Sequence, residues 1–278
     1  MAPGLVEVAV VGLAVLTFVL ICMLLGAIAG LMAGLLGIGG GLIIVPALVF
    51  ILPIFQQLPS EQVIVVAVAT SLCSIIFTCS SSAWAHHKLR HISWDYTPIL
   101  LVGAAIGAVI TGYFAHFIDA NILKKIFGFA VLFLGLRMFI NQVSSSRRPL
   151  PQKSILGLMS IVLAMLASLL GIGGGALYVP MLTHFSVGVR HAIGAASIIG
   201  FVIACFATSG YVVAGWQQFH DEIGYIGYVY WPAVLAIVAT SLIAAQFGAK
   251  LTSRLPVDKI KKIFGVFLLI VSARMLLS

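Results

Sequence analysis

One glycine-rich peptide occurs twice in this chain, and both copies interrupt long apolar segments. The first copy reads LLGIGGG from Leu35 to Gly41 and precedes a Val-Pro pair at 45–46. The second copy has the same seven letters from Leu169 to Gly175, with Val-Pro at 179–180. Glycine within a helix costs about 1 kcal/mol per residue relative to alanine. The repeated peptide therefore predicts a broken helix at two related places.

The composition places these breaks in a membrane. Hydrophobic residues make up 62% of the chain and charged residues 8%, and the mean hydropathy is +1.21. A chain so poor in charge cannot coat a soluble globule. Apolar stretches of about 20 residues, enough for a helix to cross a bilayer, recur from end to end. We expect an all-α integral membrane protein in contact with lipid, without a soluble domain and without a nucleic-acid partner.

The apolar segments form two similar halves. The first half has segments at 5–33, 42–55, 62–84, 94–117 and 122–141, and the second at 154–170, 176–185, 192–213, 228–249 and 259–277. A polar linker, 144–153, separates a first repeat, 1–143, from a second repeat, 154–278, and both belong to one transmembrane domain. A second duplicated pattern supports this division, since KKIFG with Arg137-Met138 recurs as KKIFG with Arg274-Met275 at one constant offset.

The basic residues indicate how the chain passes each glycine break. If the chain crosses the membrane there, its Lys and Arg residues divide between the two faces without a clear bias. If each break is the tip of a hairpin, nearly all loop cations share one face, and Lys124 and Lys125 are left opposite. Cytoplasmic loops carry an excess of Lys and Arg. The hairpin arrangement is therefore favoured, with three full crossings per half and both termini extracytoplasmic.

An odd number of crossings makes the two halves inverted copies. Inverted repeats are typical of secondary transporters, whose binding sites lie near the bilayer midplane at the repeat interface. We therefore expect two inverted repeats, each a glycine-broken helical hairpin plus three transmembrane helices. The alternative is eight transmembrane helices in two parallel four-helix repeats.

The glycine peptides have the chemistry of an anion site. Unwound backbone at membrane depth survives only where it is buried in protein or lines a wet cavity, so the two loops are expected to face each other. Helices that begin after the loops direct free N–H groups and the positive end of their dipoles at the same place. Tight helix packing through glycine is the alternative. The candidate substrate-binding glycines are Gly37, Gly39, Gly40, Gly41, Gly171, Gly173, Gly174 and Gly175, with Pro46 and Pro180 as structural markers of the helix starts.

The doubled LLGIGGG with Val-Pro and the doubled KKIFG with Arg-Met resemble the TauE/SafE family of sulfite exporter-like permeases, also called TSUP. The resemblance covers essentially the whole chain. It implies a carrier for sulfur-containing anions such as sulfite, sulfoacetate, thiosulfate or other organosulfonates. Members of the family are often drawn with eight crossings, which differs from the six crossings and two hairpins predicted from the charges.

Polar residues within the spans are further candidates for the substrate site. Thr70, Ser71 and Ser197 occupy comparable places in the two halves, and their hydroxyls could donate to a sulfite or sulfonate oxygen. Hydroxyls in membrane helices also commonly bond to their own helix or to a neighbouring one. Gln246 lies deep in a predicted span, where its amide is expected to face protein or water.

Basic residues supply a second set of candidates. Arg137 and Arg274 lie inside apolar runs, where a guanidinium could bind an oxyanion through two parallel bonds or snorkel to the interface. His86, His87 and His91 lie beside Lys88, with Asp95 nearby. The sequence spacing of these residues is unlike that of metal ligands, and an interfacial basic loop is the favoured interpretation. No metal and no cofactor are expected.

The ionisable residues bear on the energy source. Every acidic residue falls in a loop or at the edge of a span, so no buried carboxylate supports a proton relay. His116 and His184 remain candidates for proton handling. An anion that leaves a negative interior gains about 2.3 kcal/mol per charge per 100 mV, which could drive export without a coupling ion.

The favoured function is a secondary transporter that exports small sulfur-containing anions by alternating access. An anion channel, or an uptake permease for another small anion, is the alternative. No catalytic constellation occurs in the spans, so the chain is not expected to be an enzyme. A multi-pass protein of the cell inner (plasma) membrane is expected, and a homodimer is left open.

Overall fold

The computed structural model describes residues 3–56, 58–139, 149–251 and 257–277. Helices account for most of the described chain. Their bounds are α1 Pro3–Leu36, α2 Gly41–Phe55, α3 Ser60–Lys88, α4 Thr97–Phe114, α5 Ala120–Arg137, α6 Lys153–Leu169, α7 Gly175–His184, α8 Val189–Gly215, α9 Trp231–Leu251 and α10 Val257–Leu277. Each predicted apolar segment corresponds to one of these helices, which confirms the all-α membrane fold. The core of the predicted linker, residues 144–148, lies outside the described residues.

Five helices of the described part, α1, α3, α4, α8 and α9, are long and apolar enough to cross a membrane. The apolar part of α1 alone, Gly12–Leu36, has 25 residues. α2 and α7 return for only 15 and 10 residues. α5 and α10, the other predicted crossings, have lysines near their starts, and Lys124 and Lys125 are the fifth and sixth residues of α5.

Three glycines of α1 pack against the backbone of α9, and their contacts show that the two helices run in the same direction. A methyl group on Gly26 would collide with the Ile237 carbonyl oxygen, one on Gly30 would lie 2.5 Å from the Ser241 carbonyl oxygen, and one on Gly34 would collide with Ala245. Because both sets of numbers rise together, the two helices run parallel. Such close backbone contact is typical of small-residue interfaces in membranes. α4 and α6 repeat this arrangement, with Gly103 against Gly157 and Gly107 against Ile161.

The central helices α3 and α8 run in opposite directions. The Ser82 hydroxyl lies 3.1 Å from the Ser197 hydroxyl, and Cys79 lies against Gly200 further along. α3 runs parallel to α9, because Thr70 bonds to the amide of Tyr230 and Thr78 bonds to Ser241. α1, α3 and α9 therefore share one direction.

Glycine contacts also give the directions of α4, α6 and α8. α8 runs parallel to α4, since Gly194 packs on His91 just before α4 and Gly112 near its end packs on Ala207. α4, α6 and α8 therefore share the opposite direction. Every helix of the first half runs opposite to its equivalent in the second half, so the repeats are inverted. The parallel-repeat alternative is wrong, because it would give equivalent helices one direction.

The directions of the long helices determine those of the two short hairpin helices. α1 and α3 point the same way, so α2 must return toward the start of α1, and α7 likewise returns along α6. The last helices of the two repeats, α5 and α10, pair antiparallel, with the Ser272 hydroxyl donating to the Gly128 carbonyl at 2.9 Å. The start of α1 and the end of α10 therefore lie on the same face.

The cations separate between faces as the hairpin topology requires. The ends of α3, α5 and α9 and the starts of α4, α6 and α8 lie on one face, which we call the basic face. The start of α10 lies there too, because α10 pairs antiparallel with α5. The described cations of this face are Lys88, Arg90, Arg137, Lys153, Arg190, Lys250 and Lys262. Lys124 and Lys125 lie at the start of α5 on the opposite face. Arg147, Arg148 and Arg254 are outside the described residues.

A short β-hairpin precedes α9, where the sequence predicted the start of a helix. Its strands are β1 Tyr225–Ile226 and β2 Val229–Tyr230, paired antiparallel. The predicted segment began at 228, whereas α9 begins at Trp231, followed by Pro232. Proline at this position supports a helix start because it needs no amide donor there.

The glycine contacts between α4 and α6 can be tested within one interface. Gly103→Ala would place a methyl group 2.6 Å from the Gly157 carbonyl oxygen, whereas Gly157→Ala would place one 3.5 Å from Ile99. Overpacking of this kind costs about 1 to 3 kcal/mol. We expect Gly103→Ala to lower the thermal unfolding midpoint of the purified protein and Gly157→Ala to leave it nearly unchanged. Equal midpoints for the two variants would contradict the packing described.

Candidate functional site

The two glycine peptides form the non-helical loops that join α1 to α2 and α6 to α7. The first loop holds three glycines in the left-handed region, Gly37 at φ 69°, Gly39 at 74° and Gly40 at 81°. The second loop has one, Gly171 at φ 63°. Residues with a Cβ rarely adopt these angles, which explains the need for glycine there. The predicted helix breaks are present at both copies.

The loops cross each other in the interior through reciprocal contacts. A methyl group on Gly39 would lie 2.7 Å from the Gly173 Cα, and one on Gly173 would lie 2.8 Å from the Gly39 Cα. A methyl group on Gly41 would collide with the Gly171 carbonyl oxygen, and one on Gly175 with the Gly37 carbonyl oxygen. Each contact between the copies has its mirror contact, so the crossing marks the pseudo-twofold axis that relates the inverted repeats. We call it the loop crossing.

Two helices begin at the loop crossing and leave in opposite directions. In α2 the Gly40 carbonyl accepts from Ile43 and Ile44, and in α7 the Gly174 carbonyl accepts from Leu177 and Tyr178. Pro46 and Pro180 each lie five residues after the first residue of their helix, in the second turn. The sequence predicts that the Val-Pro pair marks a helix start. It lies one turn further in, where proline removes one hydrogen bond of the ladder.

Backbone donors at the loop crossing are left without acceptors. Within the part of the chain that the structure describes, no acceptor receives the amides of Gly39, Gly40 and Gly41 or those of Gly173, Gly174 and Gly175. All of these residues are buried. Buried amides are nearly always paired with protein, water or a bound ion. Two helix N-termini and unpaired amides from both repeats therefore meet in one small volume.

Access to the loop crossing is closed in this structure. Residues 37–46 and 170–176 are buried throughout. The Gly39 and Gly173 backbones are in contact, as described above. A solute can therefore reach the amides only when the two loops move apart on one side.

The predicted hydroxyls hold the loops and the central helices. The Ser71 hydroxyl donates to the Gly171 carbonyl at 2.9 Å, which ties α3 to the second loop. Ser197 donates to the Ile193 carbonyl at 3.0 Å and shares a 3.1 Å bond with Ser82. Thr70 accepts from the Tyr230 amide at 3.0 Å. Ser71 is thus in direct contact with a loop, whereas Thr70 and Ser197 bond to helices and to the β-hairpin.

Sequence reasoning missed two residues at the loop crossing, Cys79 and Gly200. A methyl group on Gly39 would lie 3.2 Å from the Cys79 sulfur, and one on Gly173 would lie 3.3 Å from it. Gly200 on α8 faces the same sulfur and the Gly174 amide nitrogen. Cys79 is buried, with 1% of its surface exposed. A single cysteine in an apolar span carries no sequence signal that identifies this place.

The remaining polar candidates lie away from the loop crossing. Gln246 is expected to face protein or water, and its side chain is exposed on α9, five residues before the helix end. Arg137 and Arg274 end up in two lateral grooves on the outside of the helix bundle. The Arg274 guanidinium lies 4.6 Å from the ring centroid of Phe50.

The histidine cluster lies at the basic face. His86 is buried, with Nε2 3.1 Å from the Gly34 carbonyl oxygen and Nδ1 3.1 Å from Nδ1 of His91. His87 is exposed and lies outside this pair. Burial, with Arg190 and His191 nearby, lowers the pKa of His91, so its neutral form can accept from or donate to His86. Within the described residues no group of three or more ligand-type side chains could hold a metal ion.

Comparison with known proteins identifies relatives along nearly the whole chain. The family model described as "Sulfite exporter TauE/SafE" matches residues 22–275. A "Probable membrane transporter protein" of Haemophilus influenzae is 38% identical over 94% of this chain and 99% of its own length. Probable membrane transporter proteins of Bacillus subtilis and Methanocaldococcus jannaschii are each 25% identical, covering 92% and 89% of this chain and 96% and 94% of their own lengths. No solved structure matches the chain.

Proposed function

This chain belongs to the sulfite exporter TauE/SafE family of membrane transporters, which are not enzymes, and we propose that it carries a small sulfur-containing anion through the loop crossing. Sulfite, thiosulfate, sulfoacetate and related organosulfonates are the proposed substrates. The proposed site comprises the loop glycines of both repeats, with Ser71 at its edge.

The observation that carries this proposal is the set of unpaired amides at the loop crossing. An ionised oxyanion accepts several hydrogen bonds at once, and bonds to a charged acceptor are about twice as strong as neutral ones. The N-termini of α2 and α7 add the positive ends of two helix dipoles. An anion would supply acceptors for donors that are otherwise buried without a partner.

Sulfur oxyanions suit such a site better than a cation or a neutral solute. Their oxygens point in several directions from one centre, which matches amides that approach from two loops. Within the described residues, the buried polar side chains are uncharged hydroxyls and the imidazole of His86, with no carboxylate that would bind a cation. The site is therefore built to attract negative charge through backbone groups alone.

Alternating access follows from the inverted symmetry. The loops touch at Gly39 and Gly173, and the contacts on either side of that point are equivalent between the repeats. The loops can therefore separate toward one face by a movement that is symmetry-equivalent to their separation toward the other face. The buried loops correspond to a closed state, from which the protein would open to each side in turn.

The distribution of charge supports an orientation and a driving force. With the basic face in the cytoplasm, the start of α1 and the end of α10 are extracytoplasmic. A bacterial inner membrane is the proposed location. Cations at the inner face would concentrate anions before entry. The membrane potential would then favour export by about 2.3 kcal/mol per charge per 100 mV.

Counterflow in reconstituted vesicles tests the proposed function. Vesicles loaded with unlabelled sulfite or thiosulfate are placed in a trace of the labelled anion, and we expect transient accumulation of label that saturates with concentration. A carrier gives this result because inward movement of label is coupled to return of the loaded site. Flux that never saturates, with no accumulation of label, would indicate an anion channel instead. Absence of any flux across a panel of sulfur anions would contradict the proposed substrate class.

A further inference from the structure

Two apolar grooves open on the outside of the helix bundle, and the inverted symmetry relates them. The first, which we call the α5–α7 groove, lies between α5, α6 and α7 and has a volume of about 580 Å³. The second, the α2–α10 groove, lies between α1, α2 and α10, with about 470 Å³. Phe133 in the first groove is 60% exposed and Ile270 in the second is 64% exposed. Both grooves therefore open sideways, to where the acyl chains of the bilayer lie.

The lining of the α5–α7 groove is apolar along most of its length. Ile126, Phe133, Leu163, Leu166, Leu177 and Met181 line it. Its two polar side chains, Arg137 and His184, are the last residues of α5 and α7. Both helices end at the basic face. The groove thus has an apolar body and a cationic end at the level of the lipid headgroups.

The two grooves differ at the position beside the arginine, and this position determines which group can interact with the guanidinium. In the α2–α10 groove, Arg274 packs on the face of Phe50, which stabilises the guanidinium through a cation–π contact. The offset that relates Gly39 to Gly173 takes Phe50 to His184, so the α5–α7 groove has an imidazole at this place. Of the carboxylates that the structure describes, none lies within 4.0 Å of Arg137. A phosphate would supply the negative charge that protein side chains do not provide here.

We propose that the α5–α7 groove binds an anionic phospholipid. One acyl chain lies along the apolar lining, and the phosphate accepts hydrogen bonds from the Arg137 guanidinium, with the His184 ring as a second donor. Guanidinium groups bind phosphate through paired, charge-assisted bonds. Basic pockets between transmembrane helices at the cytoplasmic side are a recognised setting for lipid headgroups. The α2–α10 groove, with Arg274 against Phe50, binds lipid without this preference for charge.

Native mass spectrometry of the purified, delipidated protein tests this proposal. Phosphatidylglycerol and phosphatidylethanolamine of identical chains are titrated separately against the wild type, Arg137→Gln, His184→Phe and Arg274→Gln. We expect the wild type to bind phosphatidylglycerol at least tenfold more tightly than phosphatidylethanolamine. Arg137→Gln should lose this preference and Arg274→Gln should keep it. His184→Phe, which reproduces the side chain of the other groove, should reduce it severalfold.

Three results would overturn the proposal. Equal affinity of the wild type for both lipids would remove the headgroup preference. Undiminished preference in both Arg137→Gln and His184→Phe would place the lipid elsewhere. Displacement of bound phosphatidylglycerol by millimolar sulfite or thiosulfate, but not by chloride, would assign Arg137 to a soluble anion instead. If Arg137→Gln does not fold, His184→Phe still tests the proposal. None of these outcomes depends on transport activity.

Discussion

Gly39→Val and Gly173→Val are each expected to abolish anion transport while leaving the protein inserted in the membrane. Both positions hold the loops against each other, and even a methyl group at either would lie within 2.8 Å of the opposite Cα. Gly39 also has φ 74°, which a β-branched residue resists strongly. The valine side chain would fill the space in front of the unpaired amides. Uptake into vesicles, normalised to the amount of protein inserted, measures the effect.

Gly12→Val is the matched control for these two variants. Gly12 lies in α1, and a methyl group there has nothing within 4 Å. We expect it to transport like the wild type, so a general effect of adding valine to a glycine-rich chain is excluded. Flux near the wild-type rate in Gly39→Val or Gly173→Val would show that the loop crossing is not on the path of the substrate.

Cys79→Asp is expected to lower transport by at least a hundredfold without preventing folding. The Cys79 sulfur faces both Gly39 and Gly173, so a carboxylate there would reach the unpaired amides. A carboxylate that accepts several backbone N–H bonds stays ionised at neutral pH. It would occupy the donors intended for the substrate and repel an incoming anion. Initial rates of sulfite or thiosulfate uptake, measured in parallel with thermal stability, test this expectation.

The neutral isostere Cys79→Asn separates charge from size. It has nearly the same volume as aspartate but carries no negative charge, so we expect it to retain at least a tenth of wild-type transport. The wild type should also gain thermal stability when sulfite is added, as any ligand that binds the folded state requires. Cys79→Asp should not gain it. Equal loss of transport in both variants would mean that the effect is steric and would contradict an anion site beside Cys79.

The helices and their inverted arrangement could be predicted because the responsible signals are local and strong. Runs of apolar residues fix the spans, and the duplicated glycines fix the breaks. The cations fix the second hairpin, since Lys88 and Arg190 fall on one face only if α7 returns, and the duplicated glycine peptide extends the same arrangement to α2. Each signal arises from a physical requirement for inserting a chain into lipid, and the residue types along the chain show that requirement directly.

The packing partners could not be predicted in the same way. In a membrane the residues that face lipid and those that face protein are both apolar, so periodicity does not indicate which side is buried. Gln246 on the surface of α9 and Cys79 at the loop crossing are two examples. The glycines at 26, 30 and 34 mark a contact face, but nothing local indicates that their partner is α9 of the other repeat. The same holds for Ser71, whose acceptor is the Gly171 carbonyl.

The central claim is that amides from both loops bind the transported anion. Crystals grown with selenite, which shares the charge and pyramidal shape of sulfite and scatters anomalously, would locate the anion directly. We predict an anomalous peak within hydrogen-bonding distance of backbone nitrogens from both 39–41 and 173–175. A peak only beside Arg137 or Arg274, with the loop crossing unchanged and empty of density, would contradict the account.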